Sequence, residues 1–173
     1  MTAQIANGGY KIQPKILTDD NQLTSEQVKK AMEDSKLNDF YEPLYDDQKN
    51  IRIIQEAMFS STNEIMGTSY KSRIDDPKYQ FAGKTGTAQV KRISKREREL
   101  DLKTSQIPYE ERDHALYVAF GPYKNPRYSL SIIVEHGGSG SVTAAPMATK
   151  LFKLIIDRHQ YRKQLSYHKE INI

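Results

Sequence analysis

The chain has 173 residues, an apolar fraction of 37%, a mean hydropathy of −0.74 and a formal net charge of +4, which fits one domain or a large part of one. It has no cysteine, and this excludes disulfides, thiol nucleophiles and cysteine-ligated zinc. No apolar run approaches the roughly 18 residues that a membrane-spanning helix needs, and the chain does not open with a signal-peptide pattern.

Charge is unevenly distributed along the chain. Residues 18–50 contain four Lys and nine Asp/Glu, a net charge of −5, whereas residues 150–173 contain six Lys/Arg and two acids, a net charge of +4. A basic tail over 160–173 is compatible with nucleic acid or anionic lipid. It has few aromatic residues and no glycine or arginine clusters, so a solvated helix face explains it better. We therefore expect no nucleic-acid partner.

The first third of the chain carries signals for short elements. Asn7-Gly8-Gly9 is typical of the end of a helix, so we expect the chain to be a fragment of a larger domain. Pro14 indicates an edge strand over 10–17, and residues 24–27 resemble a capping box before a short helix. Asp46-Asp47 predict a second helix through about residue 59, with its buried face formed by Ile51, Ile54, Ala57 and Met58.

The second half predicts an antiparallel sheet with helices packed on it. After a loop over 60–76, a strand is expected over 79–90, followed by a mobile surface loop over 91–112 with seven Lys/Arg and five acids. Residues 114–120 and 128–135 form a hairpin around a breaker-rich turn. A helix over 143–159 follows, with a buried stripe of Ala148, Leu151, Phe152, Ile155 and Ile156. This order gives fold class α+β.

The run from Phe81 to Val90 carries the chemistry. A phosphate-binding loop ending in Gly83-Lys84-Thr85 is excluded, because the glycine that such a loop needs is replaced by Lys78. The alternative is a ligand-binding strand edge. Glycines let a ligand approach the backbone, Lys84 supplies a point charge, and Thr85 and Thr87 supply hydroxyls. The residues alone are equally compatible with a glycine-containing strand that has no functional role.

Several segments together resemble the C-terminal part of the transpeptidase domain of class B penicillin-binding proteins, with the elongation-specific penicillin-binding protein 2 group most similar. They are spread over most of the chain: residues 3–9, 67–70, 81–90, 112–116, 125–128 and 134–138. The resemblance implies a partial penicillin-binding and serine β-lactamase-like fold that lacks its first strands and nucleophile helix. Residues 1–173 would be one C-terminal fragment, with a variable insertion over 18–45.

In that family, three motifs build a serine acyl-transfer site: Ser-x-x-Lys, Ser-x-Asn and Lys-Thr-Gly. Only the third is recognisable here, so we expect no nucleophile in this chain and no activity of the chain alone. Ser61-Thr62-Asn63, predicted to lie in a loop, and the tail segment 166–169 match the other motifs by letters only. Other classes that use the same triad, a β-lactamase or carboxypeptidase fragment, remain an alternative, as does a non-catalytic basic binding module.

The resemblance also implies roles for single residues. Lys84 would keep the cleft positive and assist proton transfer, and the hydroxyls of Thr85 and Thr87 would bind the ligand carboxylate. Gly86 would leave room for the ligand, and the Thr87 N–H would be one oxyanion-hole donor. No cofactor and no metal are implied. His114 and His136 are expected to make hydrogen bonds at strand ends.

The implied ligands are peptidoglycan stem peptides and β-lactams. The implied location of the whole protein is the bacterial inner membrane with a periplasmic catalytic domain, the fragment itself being soluble. In this fold the last strand pairs with the first strand of the domain. We therefore expect strand 128–135 to have a bare edge, through which two copies of the chain pair.

Overall fold

The computed structural model describes residues 1–12, 43–44, 47–92 and 102–171, with the side chains of 48 and 162–171 excepted. The helices are α1 (Thr2–Ala6), α2 (Gln48–Asn63) and α3 (Ala145–Ile171), and the strands are β1 (Ala82–Ala88), β2 (His114–Gly121) and β3 (Tyr128–Val134). The capping box at 24–27, most of segment 10–17 and nearly all of the insertion over 18–45 lie outside the described residues.

The three strands form one antiparallel sheet in the order β1-β2-β3. Thr85 pairs with Tyr117, and Tyr117 pairs in turn with Ile132. The predicted hairpin and the α+β class are therefore confirmed. The strand predicted over 79–90 is shorter at both ends, because pairing with β2 begins at Ala82 and stops at Ala88.

Helix α3 covers one face of the sheet. Ala148, Phe152 and Ile156 are buried there with Tyr117 and the other core residues Phe81, Ala115 and Ala119. The prediction that Leu151 belongs to this stripe is wrong, since it is 41% exposed. A straight helix that buries 148, 152 and 156 turns 151 about 100° away from 152. The helix also continues to Ile171, so the described part of the basic tail is helical.

Helices α1 and α2 contribute to a second cluster around Met58, Ala82 and Phe120. Asp47 caps α2 as predicted, because its carboxylate accepts the Lys49 N–H at 2.8 Å. The predicted end at residue 59 is wrong, since α2 continues to Asn63.

The predicted buried face of α2 is half right. Ile51 and Met58 are buried, but Ile54 is 42% exposed and Ala57 is also exposed. The buried line instead continues from Met58 to Thr62, one turn further along. The predicted loop over 60–76 is also corrected, because it opens with this helical turn and contains a 3₁₀ turn, Tyr70–Ser72.

The segments flanking the sheet contain short turns. Gly8 and Gly9 follow α1 with φ of +92° and +94°, which fits the predicted helix stop. The described part of 91–112 contains two 3₁₀ turns, Thr104–Gln106 and Tyr109–Glu111. A π-helical turn, Gly140–Ala144, leads into α3. Within the described residues, no helix has the length and apolar character needed to cross a bilayer.

Candidate active site

The outer edge of β1, away from β2, carries the predicted site residues. Three carbonyls of this strand region accept hydrogen bonds from side chains: Phe81 from Asn63 Nδ2 at 3.0 Å, Gly83 from the Thr62 hydroxyl at 3.4 Å, and Thr85 from Lys84 Nζ at 2.8 Å. In an antiparallel strand, alternate residues direct both N–H and C=O to the same edge. The N–H of Thr87 therefore points to this edge as well, and no described strand pairs with it.

A buried cluster of hydroxyls fixes the first half of β1 to the end of α2. Thr62 Oγ1 lies 2.9 Å from Tyr117 Oη and 3.3 Å from Ser69 Oγ, and Ser69 Oγ lies 3.2 Å from Tyr117 Oη. All three side chains are at most 2% exposed. Burial raises the pKa of Tyr117, and the hydrogen bonds with Ser69 and Thr62 oppose that shift in part. The cluster needs Gly83, because a Cβ there would lie 2.2 Å from Tyr117 Oη.

A second chain of hydroxyls lies at the surface beside the second half of β1. Ser61 Oγ is 3.2 Å from Thr68 Oγ1, which is 3.2 Å from Thr85 Oγ1. Thr85 is half-exposed, and Lys84 and Thr87 are exposed. The positive charge and the hydroxyls that the sequence predicted for a ligand are therefore accessible at the surface.

Gly86 lies between Thr85 and Thr87, and the turn before α3 packs against its backbone. A Cβ at Gly140 would lie 2.4 Å from the Leu116 carbonyl oxygen and 2.6 Å from that of Gly86, so the turn packs directly on the two strand backbones. This close approach requires glycine at 140. The turn before α3 therefore supports the backbone between Thr85 and Thr87, and no strand among the described residues covers its outer edge.

The structure brings Lys84, Thr85, Gly86 and Thr87 together along one strand edge, but sequence reasoning missed the partners of that edge. The loop predicted for Ser61-Thr62-Asn63 is wrong, because these residues form the last turn of α2. Thr62 and Asn63 bind β1 carbonyls there. Thr68 also went unnoticed as a partner of Thr85. Thr68 belongs to a segment that resembles the family, yet no spacing rule shows that its hydroxyl reaches β1.

The two histidines meet at the opposite end of the sheet from the hairpin turn. The His136 N–H donates to His114 Nδ1 at 3.0 Å, and His136 Nδ1 lies 3.1 Å from the Arg112 carbonyl oxygen. Both therefore make hydrogen bonds at strand ends, as expected. Across the described ranges, no three His, Asp or Glu side chains are grouped in a way that could hold a metal ion.

Comparison with a family model and with curated proteins gives several matches. Residues 1–153 match the family model described as the penicillin binding protein transpeptidase domain. The chain is 38% identical over 105 residues to the peptidoglycan D,D-transpeptidase MrdA of Salmonella typhimurium, covering 61% of this chain and 16% of that protein. It is 34% identical over 151 residues to MrdA of Acinetobacter baumannii, covering 84% and 20%.

Among solved structures, the complex between penicillin-binding protein PBP2 and MreC from Helicobacter pylori is similar with a TM-score of 0.55 and 28% identity, covering 88% of this chain and 23% of that one. The chain thus spans about a fifth of the length of the relatives it matches. The family match extends through all three strands and the Lys-Thr-Gly edge. The chain belongs to the penicillin-binding protein transpeptidase domain family, with relatives of the MrdA (PBP2) kind.

Proposed function

We propose that this chain forms one wall of the cleft of a peptidoglycan D,D-transpeptidase that works by serine acyl transfer. One observation carries the proposal: the outer edge of β1 presents the Lys84 ammonium, the Thr85 and Thr87 hydroxyls and, by strand alternation, the Thr87 N–H. The names of the relatives supply the reaction class. The attacking serine lies outside these 173 residues in this proposal, and the protein acts outside the cytoplasmic membrane.

The chemistry of acyl transfer fits such an edge. A serine oxygen attacks the penultimate carbonyl of a stem peptide, the terminal D-amino acid leaves with a proton, and an amine of a second peptide then displaces the serine. Negative charge develops on the carbonyl oxygen, where one positioned donor is worth about 10²–10³ in rate. The N–H of Thr87 is that donor, while its hydroxyl and that of Thr85 bind the ligand carboxylate.

Lys84 sets the charge of the edge. Its ammonium donates to the Thr85 carbonyl, and no described carboxylate lies within ion-pair distance of it. A cation without an acidic partner attracts an anionic ligand and favours the ionised form of groups that give up a proton nearby. Gly86 has no side chain, and this leaves room for the ligand to lie along the strand.

A first experiment tests what the chain does alone. We expect no mass increase of one drug molecule after incubation with a reactive penicillin, and no consumption of the drug. An adduct would reveal a nucleophile within these residues, and Ser61→Ala would show whether it is Ser61. Consumption without an adduct would instead support the lactamase-like alternative, because fast deacylation regenerates the serine.

A second experiment looks for binding directly. Addition of an acetylated D-alanyl-D-alanine dipeptide should shift the backbone amide signals of residues 84–87 in a ¹⁵N–¹H NMR spectrum. Thr87→Val should weaken this binding about tenfold, because it removes a hydrogen bond to a charged carboxylate. Arg52→Ala, which removes an exposed cation near the start of α2, serves as the control and should leave it unchanged. Shifts spread evenly over the surface would contradict the proposal.

We also propose that two copies of the chain pair through β3. No described strand pairs with its outer edge, and Ile133 on this strand is 65% exposed. Unpaired strand edges with apolar side chains recruit other strands. Sedimentation equilibrium at tens of micromolar should give a dimer, and Ile133→Lys should return it to a monomer. A monomeric mass for the unmodified chain would refute pairing.

A further inference from the structure

We propose that a pocket between the hairpin turn and α3 binds a carboxylate monoanion with a compact apolar body, such as an acylated amino acid or the C-terminus of a peptide. The pocket has a volume of about 320 Å³ and is lined by the turn, by α3 and by Lys78 from the segment before β1. This is near the lower end of the volume range of small-molecule sites. It adjoins Pro122 and Tyr128, at the far end of the sheet from His114.

Arg127 is the cation of this pocket that can bind the ligand carboxylate. Its Nη1 lies 2.9 Å from His159 Nε2, and since a guanidinium has no acceptor, Arg127 donates to the imidazole nitrogen. That contact uses one of its five N–H groups and fixes the side chain against α3. No described carboxylate pairs with Arg127. The remaining N–H groups form a planar fork of the geometry that binds a carboxylate through two parallel hydrogen bonds.

The second cation of the pocket is already neutralised. Lys78 Nζ lies 3.0 Å from Asp157 Oδ1, and the Tyr79 hydroxyl donates to the same oxygen at 2.6 Å. The hydrogen bond from Tyr79, and to a lesser extent the one from Lys78, holds the pKa of Asp157 below its ordinary value. The Lys78–Asp157 ion pair therefore stays ionised at neutral pH. Among the described residues, the Arg127 guanidinium is then the one positive charge of the pocket without a carboxylate partner, which suits a singly charged carboxylate better than a doubly charged phosphate.

The rest of the lining selects the body of the ligand. Ile156 is 5% exposed, and the half-buried Tyr128 ring stands edge-on to His159 with 6.0 Å between the ring centroids. These groups provide an apolar wall beside the guanidinium. The amides of Asn125 and Gln160 also line the pocket and can pair with a peptide group of the ligand. An acylated amino acid has these three features: a carboxylate, an amide and an apolar side chain.

The test is an NMR titration of the full 173-residue chain with N-acetyl-leucine. We expect saturable shifts of the amides around 123–128 and 156–160. N-acetyl-leucinamide, identical except for its missing charge, should bind at least tenfold more weakly. Inorganic phosphate should not compete at equal concentration. These signals are distinct from those of residues 84–87, so failure here and failure of the proposed cleft function are separately visible.

Two variants and a matched control complete the design. Arg127→Gln should weaken N-acetyl-leucine binding about tenfold or more, and Arg127→Lys should recover only part of it, since lysine keeps the charge but not the fork. Arg158→Gln removes an exposed cation from α3 at a position outside the pocket lining, and it should have no effect. Equal weakening by Arg158→Gln, equal binding of the amide, tighter binding of phosphate, or no saturable shift would each overturn the proposal.

Discussion

Two groups of hydroxyl side chains flank β1, and they differ in burial rather than in chemistry. Thr62, Ser69 and Tyr117 form a closed cluster with almost no exposed surface. Ser61, Thr68 and Thr85 form an open chain of contacts at 3.2 Å. Both groups join the same two parts of the fold, the end of α2 with the loop after it and the sheet.

The difference assigns each group a task. A buried hydroxyl that loses its partner pays the full desolvation cost, so a closed cluster fixes geometry strongly. An exposed hydroxyl exchanges partners with water at little cost, and it can exchange them with a ligand as well. The first half of β1 is therefore an anchor, and the second half is the exposed surface where the proposed ligand would replace water.

The largest effect on stability is expected when a methyl group is added to the anchor. Gly83→Ala would place a Cβ 2.2 Å from Tyr117 Oη, which two hydrogen bonds hold in place. We expect a loss of about 3 kcal/mol in the free energy of unfolding, measured by urea denaturation. Gly86→Ala is the matched control on the same strand, where the nearest atom is a side-chain carbon at 3.3 Å, and it should cost about 1 kcal/mol or less. Equal losses would remove the distinction between the two halves.

A smaller effect is expected when one hydroxyl of the anchor is removed. Thr62→Val keeps the shape but deprives Tyr117 and Ser69 of a partner, so the free energy of unfolding should fall by about 1–3 kcal/mol. Tyr117→Phe in the same background should then cost less than it does alone, since the two groups are coupled. Additive losses in this double-mutant cycle would show that the hydroxyls act independently.

The sequence predicts those parts of the fold whose signals are local. The breaker-rich turn and alternating strands identify the β2–β3 hairpin, and Asp47 marks the start of α2. Its end was missed because Ser60 to Asn63 have weak helix propensity and are kept helical by tertiary contacts, such as that of Asn63 with the Phe81 carbonyl. The exposure of Leu151 and Ile54 likewise depends on how each helix is rotated about its axis against the sheet. Hydrophobic periodicity does not determine that rotation to better than about one residue position.

For the candidate site, sequence reasoning identified the strand that carries it but not its surroundings. Lys84, Thr85 and Thr87 follow from residue type and from the resemblance to the family. Thr68 could not be found in this way, because its contact with Thr85 spans 17 residues and depends on the turn between them. The Arg127–His159 contact, which spans 32 residues, is hidden for the same reason.

The anchor should also be sensitive to alkaline pH. Burial raises the folded-state pKa of Tyr117 above the ordinary value of 10.0. Its contribution is therefore fully present below about pH 10 and is lost as pH rises through the folded pKa. Urea denaturation between roughly pH 9 and 11 should show a steeper loss for the unmodified chain than for Tyr117→Phe. Tyr161→Phe is the control, since Tyr161 is 61% exposed on α3.

The smallest effect on stability is expected in the open chain of hydroxyls. Thr68→Val should change the free energy of unfolding by no more than about 0.5 kcal/mol, because the hydroxyl is exposed and its partners turn to water. The same substitution leaves Thr85 Oγ1 without the contact that orients it. It should therefore weaken binding of the acetylated D-alanyl-D-alanine dipeptide about two- to fivefold in the NMR titration. Ser61 contacts Thr68 rather than Thr85, so Ser61→Ala should weaken binding of the dipeptide less. A stability loss in Thr68→Val as large as that in Thr62→Val would mean that both groups are anchors, and that β1 has no half reserved for a ligand.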